Sequence, residues 1–144
     1  MKMPEGPIDG RLFAPCGMNC LVCYKHCAHK KPCAGCLWGD AGHCRRCKIK
    51  ECARGRGLTH CHACPEHPCK QIKALDKSYR TRYGASLVEN SRRVRALGVA
   101  AFMAQQREQF ACPQCGGVLS LHDGACSECG WKVPAGAGCG LPGR

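Results

Sequence analysis

The chain has 144 residues, 17 of them cysteine, and a formal net charge of +12. Leu, Ile, Val and Phe together number 22, about 15% of the chain, which is below the range in which apolar burial alone usually folds a domain. An ordinary apolar core is therefore not expected, and no apolar window approaches the length of a membrane span.

Residues 1–15 carry Pro4, Gly6 and Pro7 and read as an N-terminal lead-in. Met1-Lys-Met-Pro-Glu-Gly-Pro holds no apolar stretch of signal-peptide length. That points to a reducing, cytoplasmic setting, where close-set cysteines serve as metal ligands or redox sites rather than disulfides. Residues 16–69 form a Cys-rich metal-binding domain whose only Leu, Ile, Val or Phe residues are Leu21, Val22, Leu37, Ile49 and Leu58. Burial of these few cannot offset chain entropy of ~1–2 kcal/mol per residue. A structural zinc site supplies roughly 10–16 kcal/mol of apparent binding energy, which becomes folding energy. Short turns and single helical turns around metal are expected there.

Residues 70–110 change in character. Ile72, Leu75, Tyr79 and Tyr83 recur at helical spacing, and Gly84 offers a C-terminal stop. Ser86-Leu-Val-Glu89 is a capping-box pattern that opens a second helix. Leu87, Val94 and Leu97 supply its apolar face; Gly98 is a weak break, after which Val99, Phe102, Met103, Gln106 and Phe110 continue the spacing. These stripes predict a helical segment that packs on the metal block. Residues 111–131 read as a zinc ribbon, and residues 132–144 as a flexible tail rich in Gly and Pro, with Cys139 left unligated. The fold class expected is a small metal-stabilised α+β protein: an irregular Cys-rich metal-cluster domain, two to three helices and a C-terminal zinc ribbon.

The ribbon carries the sharpest motif. Cys112-Pro-Gln-Cys115-Gly-Gly and Cys126-Ser-Glu-Cys129-Gly-Trp are separated by ten residues between Cys115 and Cys126. Two residues between cysteines let both sulfurs face one ion, and the Gly that follows can take positive φ so that backbone N–H groups point at sulfur. Val118-Leu-Ser-Leu121 and His122-Asp-Gly124 predict a strand and a tight turn. Four thiolates saturate tetrahedral Zn2+, leaving no position for water or substrate, so the site is read as structural. A rubredoxin-like iron site is the competing occupant.

Twelve further cysteines are candidate ligands: Cys16, Cys20, Cys23, Cys27, Cys33, Cys36, Cys44, Cys47, Cys52, Cys61, Cys64 and Cys69. The triplets Cys44-x2-Cys47-x4-Cys52 and Cys61-x2-Cys64-x4-Cys69 are identical in form. Each is expected to serve its own centre, with Cys33 and Cys36 the nearest candidates for the fourth ligands. Cys16-x3-Cys20-x2-Cys23 has the spacing of the radical-SAM signature, but Cys27 can close the fourth position and the chain lacks the alternating elements of the barrel those enzymes need. A [4Fe-4S] cluster in the N-terminal block remains the alternative to Zn2+. Six of the seven histidines, His26, His29, His43, His60, His62 and His67, fall in the Cys block, either as exposed loop residues, as donors to sulfur or as zinc ligands.

The basic charge admits a nucleic-acid partner. It also balances sulfur: sixteen thiolates on four divalent ions would lower the net charge from +12 to about +4. Aromatic residues make up only 6% of the chain, too few for a base-stacking platform.

Cys16-Gly-Met-Asn-Cys20-Leu-Val-Cys23, Cys33-Ala-Gly-Cys36, Cys44-Arg-Arg-Cys47-Lys-Ile-Lys-Glu-Cys52 and Cys61-His-Ala-Cys64-Pro-Glu-His-Pro-Cys69 together resemble the Cys-rich prokaryotic family known as domain of unknown function 3795. The resemblance spans about residues 12–110, and its most specific part is Pro-Cys69 followed by a helix. It implies metal binding, a helical stretch and a zinc-ribbon tail, and Cys27 departs from its pattern. The chain shows no H-E-x-x-H, no phosphate-binding Gly-rich loop and no G-x-S-x-G, and no H-x-E precedes a Cys pair as zinc deaminases require. The function expected is that of a non-catalytic metal-binding module that engages a protein partner. An iron-sulfur protein of electron transfer or cofactor maturation and a zinc-ribbon nucleic-acid binder are the alternatives; no small-molecule substrate and no membrane partner are indicated.

Overall fold

The computed structural model describes residues 1–37 and 46–134. The expected ligand Cys44, together with His43 and Cys139, lies outside the described residues. Among the described residues, four helices follow in chain order: α1 Lys48–Gly55, α2 Lys70–Tyr83, α3 Leu87–Leu97 and α4 Val99–Gln109. A two-stranded antiparallel sheet, β1 Leu119–Ser120 and β2 Ala125–Cys126, pairs Leu119 with Cys126 and Ser120 with Ala125. Single 3-10 turns occur at Gly10–Leu12, Cys20–Val22 and Cys61–Ala63. This is a small α+β fold, with one helix more than the two or three expected.

The added helix is α1, inside the Cys block. Lys48, Glu51, Ala53 and Arg54 favour helix intrinsically, but its only buried side chains are Lys50 and Ala53. With so little apolar surface it leaves no helical stripe to read. The other three helices lie where the spacing predicts them. Gly84 ends α2 in the left-handed region at φ 65°, a conformation that glycine enters without strain. Ser86 caps α3 by accepting the Glu89 N–H at 3.1 Å, while the Glu89 carboxylate is taken by Arg92 at 2.6 Å instead of closing the capping box. Asp76 of α2 is buried and accepts from the Ser86 hydroxyl (2.8 Å), the Val88 N–H (3.1 Å) and Arg80 (2.8 Å). One carboxylate thus fixes the corner between α2 and α3. Leu97, expected on the apolar face of α3, is 48% exposed, because the chain breaks at Gly98 (φ 87°) directly after it.

The apolar core joins three stretches: Ile8, Leu12, Phe13, Met18, Leu21 and Val22; Leu87, Val94, Phe102, Met103 and Phe110 of α3, α4 and the residue after it; and Val118, Leu119 and Leu121 beside the sheet. Phe13 meets Phe102 edge to face, with ring centroids 5.5 Å apart. The segment read as a lead-in therefore supplies core residues, and Arg107 of α4 donates to the carbonyls of Pro4 and Gly6. Turn-forming residues mark where a segment bends but do not say what its apolar neighbours cover. Among residues 46–69, by contrast, only Lys50 and Ala53 are buried. No helix is long and apolar enough to cross a membrane among the described residues.

Candidate metal centres

The ribbon brings its four sulfurs together. The two Cys pairs are held alike: Gly116 N–H donates to the Cys112 carbonyl at 2.8 Å and Gly130 N–H to the Cys126 carbonyl at 3.0 Å, with both glycines at positive φ (78° and 80°). Backbone N–H groups then point at sulfur: Gln114 to Cys112, Gly117 to Cys115 and Glu128 to Cys126, each at 3.3 Å. Sγ of Cys112 lies 3.8 Å from that of Cys129, Sγ of Cys115 lies 3.6 Å from that of Cys126, and all four fall within 4.8 Å of one another. A tetrahedron of metal-sulfur bonds near 2.3 Å has edges of about 3.8 Å, so the set fits one thiophilic ion. Its charge logic agrees. Burial alone would raise the Cys126 thiol, but the N–H groups of Cys129 and Glu128, with the thiols of Cys115 and Cys112, draw it below its ordinary pKa; the Gly117 N–H lowers Cys115, but burial and then the sulfurs of Cys129, Cys126 and Cys112 outweigh it and drive that thiol up. One thiolate in the set opposes the next until a cation joins them.

Nine of the described N-terminal cysteines line two cavities. Cys16, Cys20, Cys23, Cys33 and Cys36 line a cleft of about 410 Å3, walled on one side by Tyr79, Tyr83 and His122. Two residues that sequence reasoning passed over set this arrangement. Gly17 sits at φ 99°, where a Cβ would lie 2.6 Å from the Leu87 carbonyl oxygen and 2.7 Å from Ser91 Oγ; only glycine lets the loop press against α3. Asn19, 1% exposed, accepts the Leu21 N–H at 3.0 Å and donates to Gln106 of α4 at 3.1 Å, anchoring the turn that begins at Cys20. A Gly and an Asn between the first two cysteines were the available signal. Cys36 N–H donates to Cys20 Sγ at 3.4 Å. Burial, and after it the nearby thiols of Cys36, Cys47 and Cys61, pushes Cys16 up to about 12 despite the Met18 N–H. Cys23 is likewise raised, chiefly by burial.

Cys52, Cys61, Cys64 and Cys69 line a second, smaller cavity of about 40 Å3. Cys52 lines this cavity with the second triplet, and Cys33 and Cys36 line the cleft; Cys44 of the first triplet lies outside the described residues. Cys47 caps α1 and borders both groups, its thiol acting on Cys16 and on Cys61. Cys27 stands apart from both; it is 3% exposed, and its thiol donates to the Leu21 carbonyl at 3.3 Å. No disulfide links the described cysteines. Among the described residues, the ribbon is the one place where three or more ligand atoms gather within 4.8 Å.

The histidines mostly serve backbone. His26 donates to the Cys33 carbonyl (2.6 Å), His29 to that of Ser127 (2.9 Å) and His60 to that of Phe13 (3.2 Å). His62 and His67 each bury Nε2 without a hydrogen-bond partner among the described residues. His122 of the ribbon accepts the Tyr24 N–H on Nδ1 (3.4 Å), so its Nε2 carries the proton and donates to the Tyr79 hydroxyl (3.0 Å). Burial chiefly holds His122 below its ordinary pKa.

The family described as Protein of unknown function (DUF3795) matches residues 12–74. The match covers 63 of the 144 residues. The DUF3795 match takes in the cysteines of both cavities and stops within α2, so α3, α4 and the ribbon lie beyond it. No curated protein and no solved structure matches the chain at a significant level.

Proposed function

We propose that the protein is a cytoplasmic, non-catalytic zinc-binding module whose metal-built surface engages a protein partner. The observation that carries this reading is the closed ribbon: four sulfurs within 4.8 Å leave a tetrahedral ion no position for substrate. Zn2+ suits such a set without redox demands, and the N–H groups aimed at sulfur would disperse the thiolate charge. Elemental analysis of protein purified without oxygen tests the reading. Zinc near one equivalent or more with no iron is expected; iron in the ribbon, or no bound metal, overturns it.

A second reading concerns the DUF3795 cleft. Five thiols around about 410 Å3 give more room than one ion needs, and a four-iron cluster spreads its cysteines over a wider cage than a single ion does. An iron-sulfur cluster held there would make the protein an electron carrier or a maturation factor. A broad visible band that bleaches on reduction, with acid-labile sulfide, is the expected signature, and a colourless protein free of iron rules the cluster out.

A further inference from the structure

The two triplets have the same spacing, yet the fold uses them unequally. Of the two described members of the first, Cys47 and Cys52, it is Cys52 that lines the 40 Å3 cavity with all three members of the second. Each of these thiols is placed by a different device. Cys52 rides on α1. Cys61 opens a 3-10 turn whose N–H is tied to the Pro15 carbonyl at 2.8 Å, and Cys64 closes that turn by donating to the Cys61 carbonyl at 2.9 Å. Cys69 stands at the N-cap position of the 14-residue helix α2.

Two further features fit a site that gains negative charge. Arg56 extends its guanidinium to Cys64 Sγ at 3.7 Å and is itself held by Glu66 at 2.6 Å. His67 lines the same cavity. Arg95, which can only donate, reaches its Nδ1 at 3.4 Å, so the proton of His67 sits on Nε2, the buried atom without an acceptor among the described residues. A buried donor left unpaired is costly, and a thiolate is an acceptor. Ile72, 1% exposed, backs the cavity with apolar surface.

We propose that Cys52, Cys61, Cys64 and Cys69 bind one divalent, thiophilic ion of the zinc class, with Arg56 and His67 donating to its thiolates. The inference rests on the reading that the N-terminal block binds metal. The cavity, about 40 Å3, has the room one ion needs. Binding replaces the four thiol protons with the ion, and Arg56 offsets part of the remaining negative charge. These sulfurs stand wider apart than those of the ribbon, so loading draws them inward. Residues 46–69, with Lys50 and Ala53 their only buried side chains, can make that shift.

Differential alkylation tests the grouping. Zinc-loaded full-length protein is treated with N-ethylmaleimide under nitrogen, during stepwise chelation, and each cysteine is followed by mass spectrometry. Cys52, Cys61, Cys64 and Cys69 are expected to be protected as a set and to lose protection together, at a chelator concentration different from that of Cys112, Cys115, Cys126 and Cys129. Cys52→Ser should expose Cys61, Cys64 and Cys69 and lower bound zinc by one equivalent, while Cys47→Ser leaves all four protected. Protection of Cys61, Cys64 and Cys69 that survives Cys52→Ser, or loss of Cys52 protection in Cys47→Ser, overturns this grouping alone. Rapid alkylation of every cysteine outside the ribbon overturns both the grouping and the reading beneath it. The wild-type chelation profile needs no variant to fold.

Discussion

The ribbon and residues 46–69 are both built from closely spaced cysteine pairs, but they differ in what stands behind the sulfur. Behind the ribbon lie Val118, Leu119, Ser120 and Leu121, all buried, together with a paired hairpin and a Val22 carbonyl that accepts the Leu121 N–H at 2.9 Å. Its four thiols close to within 4.8 Å. Residues 46–69 bury only Lys50 and Ala53, and their thiols stand wider around a cavity. Cysteine spacing nominates ligands; backing by packed side chains and hydrogen bonds determines how far the protein alone can preorganise them. On the proposed reading, metal does more folding work in the N-terminal block than in the ribbon.

Removing metal should give the largest effect and breaks the comparison if it acts evenly. Zinc sites contribute roughly 10–16 kcal/mol in small metal-folded peptides. In reduced protein stripped by chelator, amide hydrogen exchange should rise steeply across residues 46–69, while α3, α4 and the residues they cover keep much of their protection. Uniform exchange, or unchanged protection of residues 46–69, contradicts this division of labour.

Gly17→Ala probes the other side, where packing rather than metal places the thiols. The positive φ and a carbonyl oxygen 2.6 Å from the new Cβ should cost about 3 kcal/mol, read as a lower urea midpoint of the metal-free core. A shift under 1 kcal/mol, within the roughly 0.5–1 kcal/mol range of a helix Gly-to-Ala preference, would show that the loop yields and that α3 does not fix Cys16.

Asp76→Ala should cost about 2 kcal/mol by leaving the Ser86, Val88 and Arg80 donors without their acceptor. Burial alone would raise the Asp76 pKa, but those donors together hold it below the ordinary 3.8. The unfolded chain then binds the proton more readily than the folded one. The contribution of Asp76 is accordingly full above the ordinary value and is lost as pH falls through the folded one. The stability gap between wild type and Asp76→Asn should be constant from pH 5 to 7 and close in acid, which paired urea titrations would reveal; a gap independent of pH refutes the role of the charge.

The smallest effect belongs to Leu97→Lys. At 48% exposure it should change the melting midpoint by no more than about 0.5 kcal/mol in free-energy terms, and a large loss would mean that another surface covers it.

Much of this architecture is legible in local patterns. The ribbon follows from two Cys-x2-Cys-Gly units because each requires only its own turn, and Gly116 and Gly130 adopt the positive φ that the pattern implies. Helices α2, α3 and α4 are legible from apolar spacing and from Gly84, Ser86 and Gly98. Helix α1 is not, because it buries almost nothing apolar. The same locality explains why residues 1–15 resist reading: Leu12 and Phe13 have meaning only against Phe102 and its neighbours, nearly ninety positions away.

The amino-acid sequence by itself determined which sulfurs are candidate ligands, the ribbon turn geometry and the match of residues 12–74 to DUF3795. Tertiary structure alone decided which thiols share a space: it sent Cys52 to the company of Cys61, Cys64 and Cys69, and Cys27 into the core. Spacing constrains sulfurs within one turn of chain. Across turns their partners depend on how α1 and α2 pack, and no repeat in the sequence encodes that.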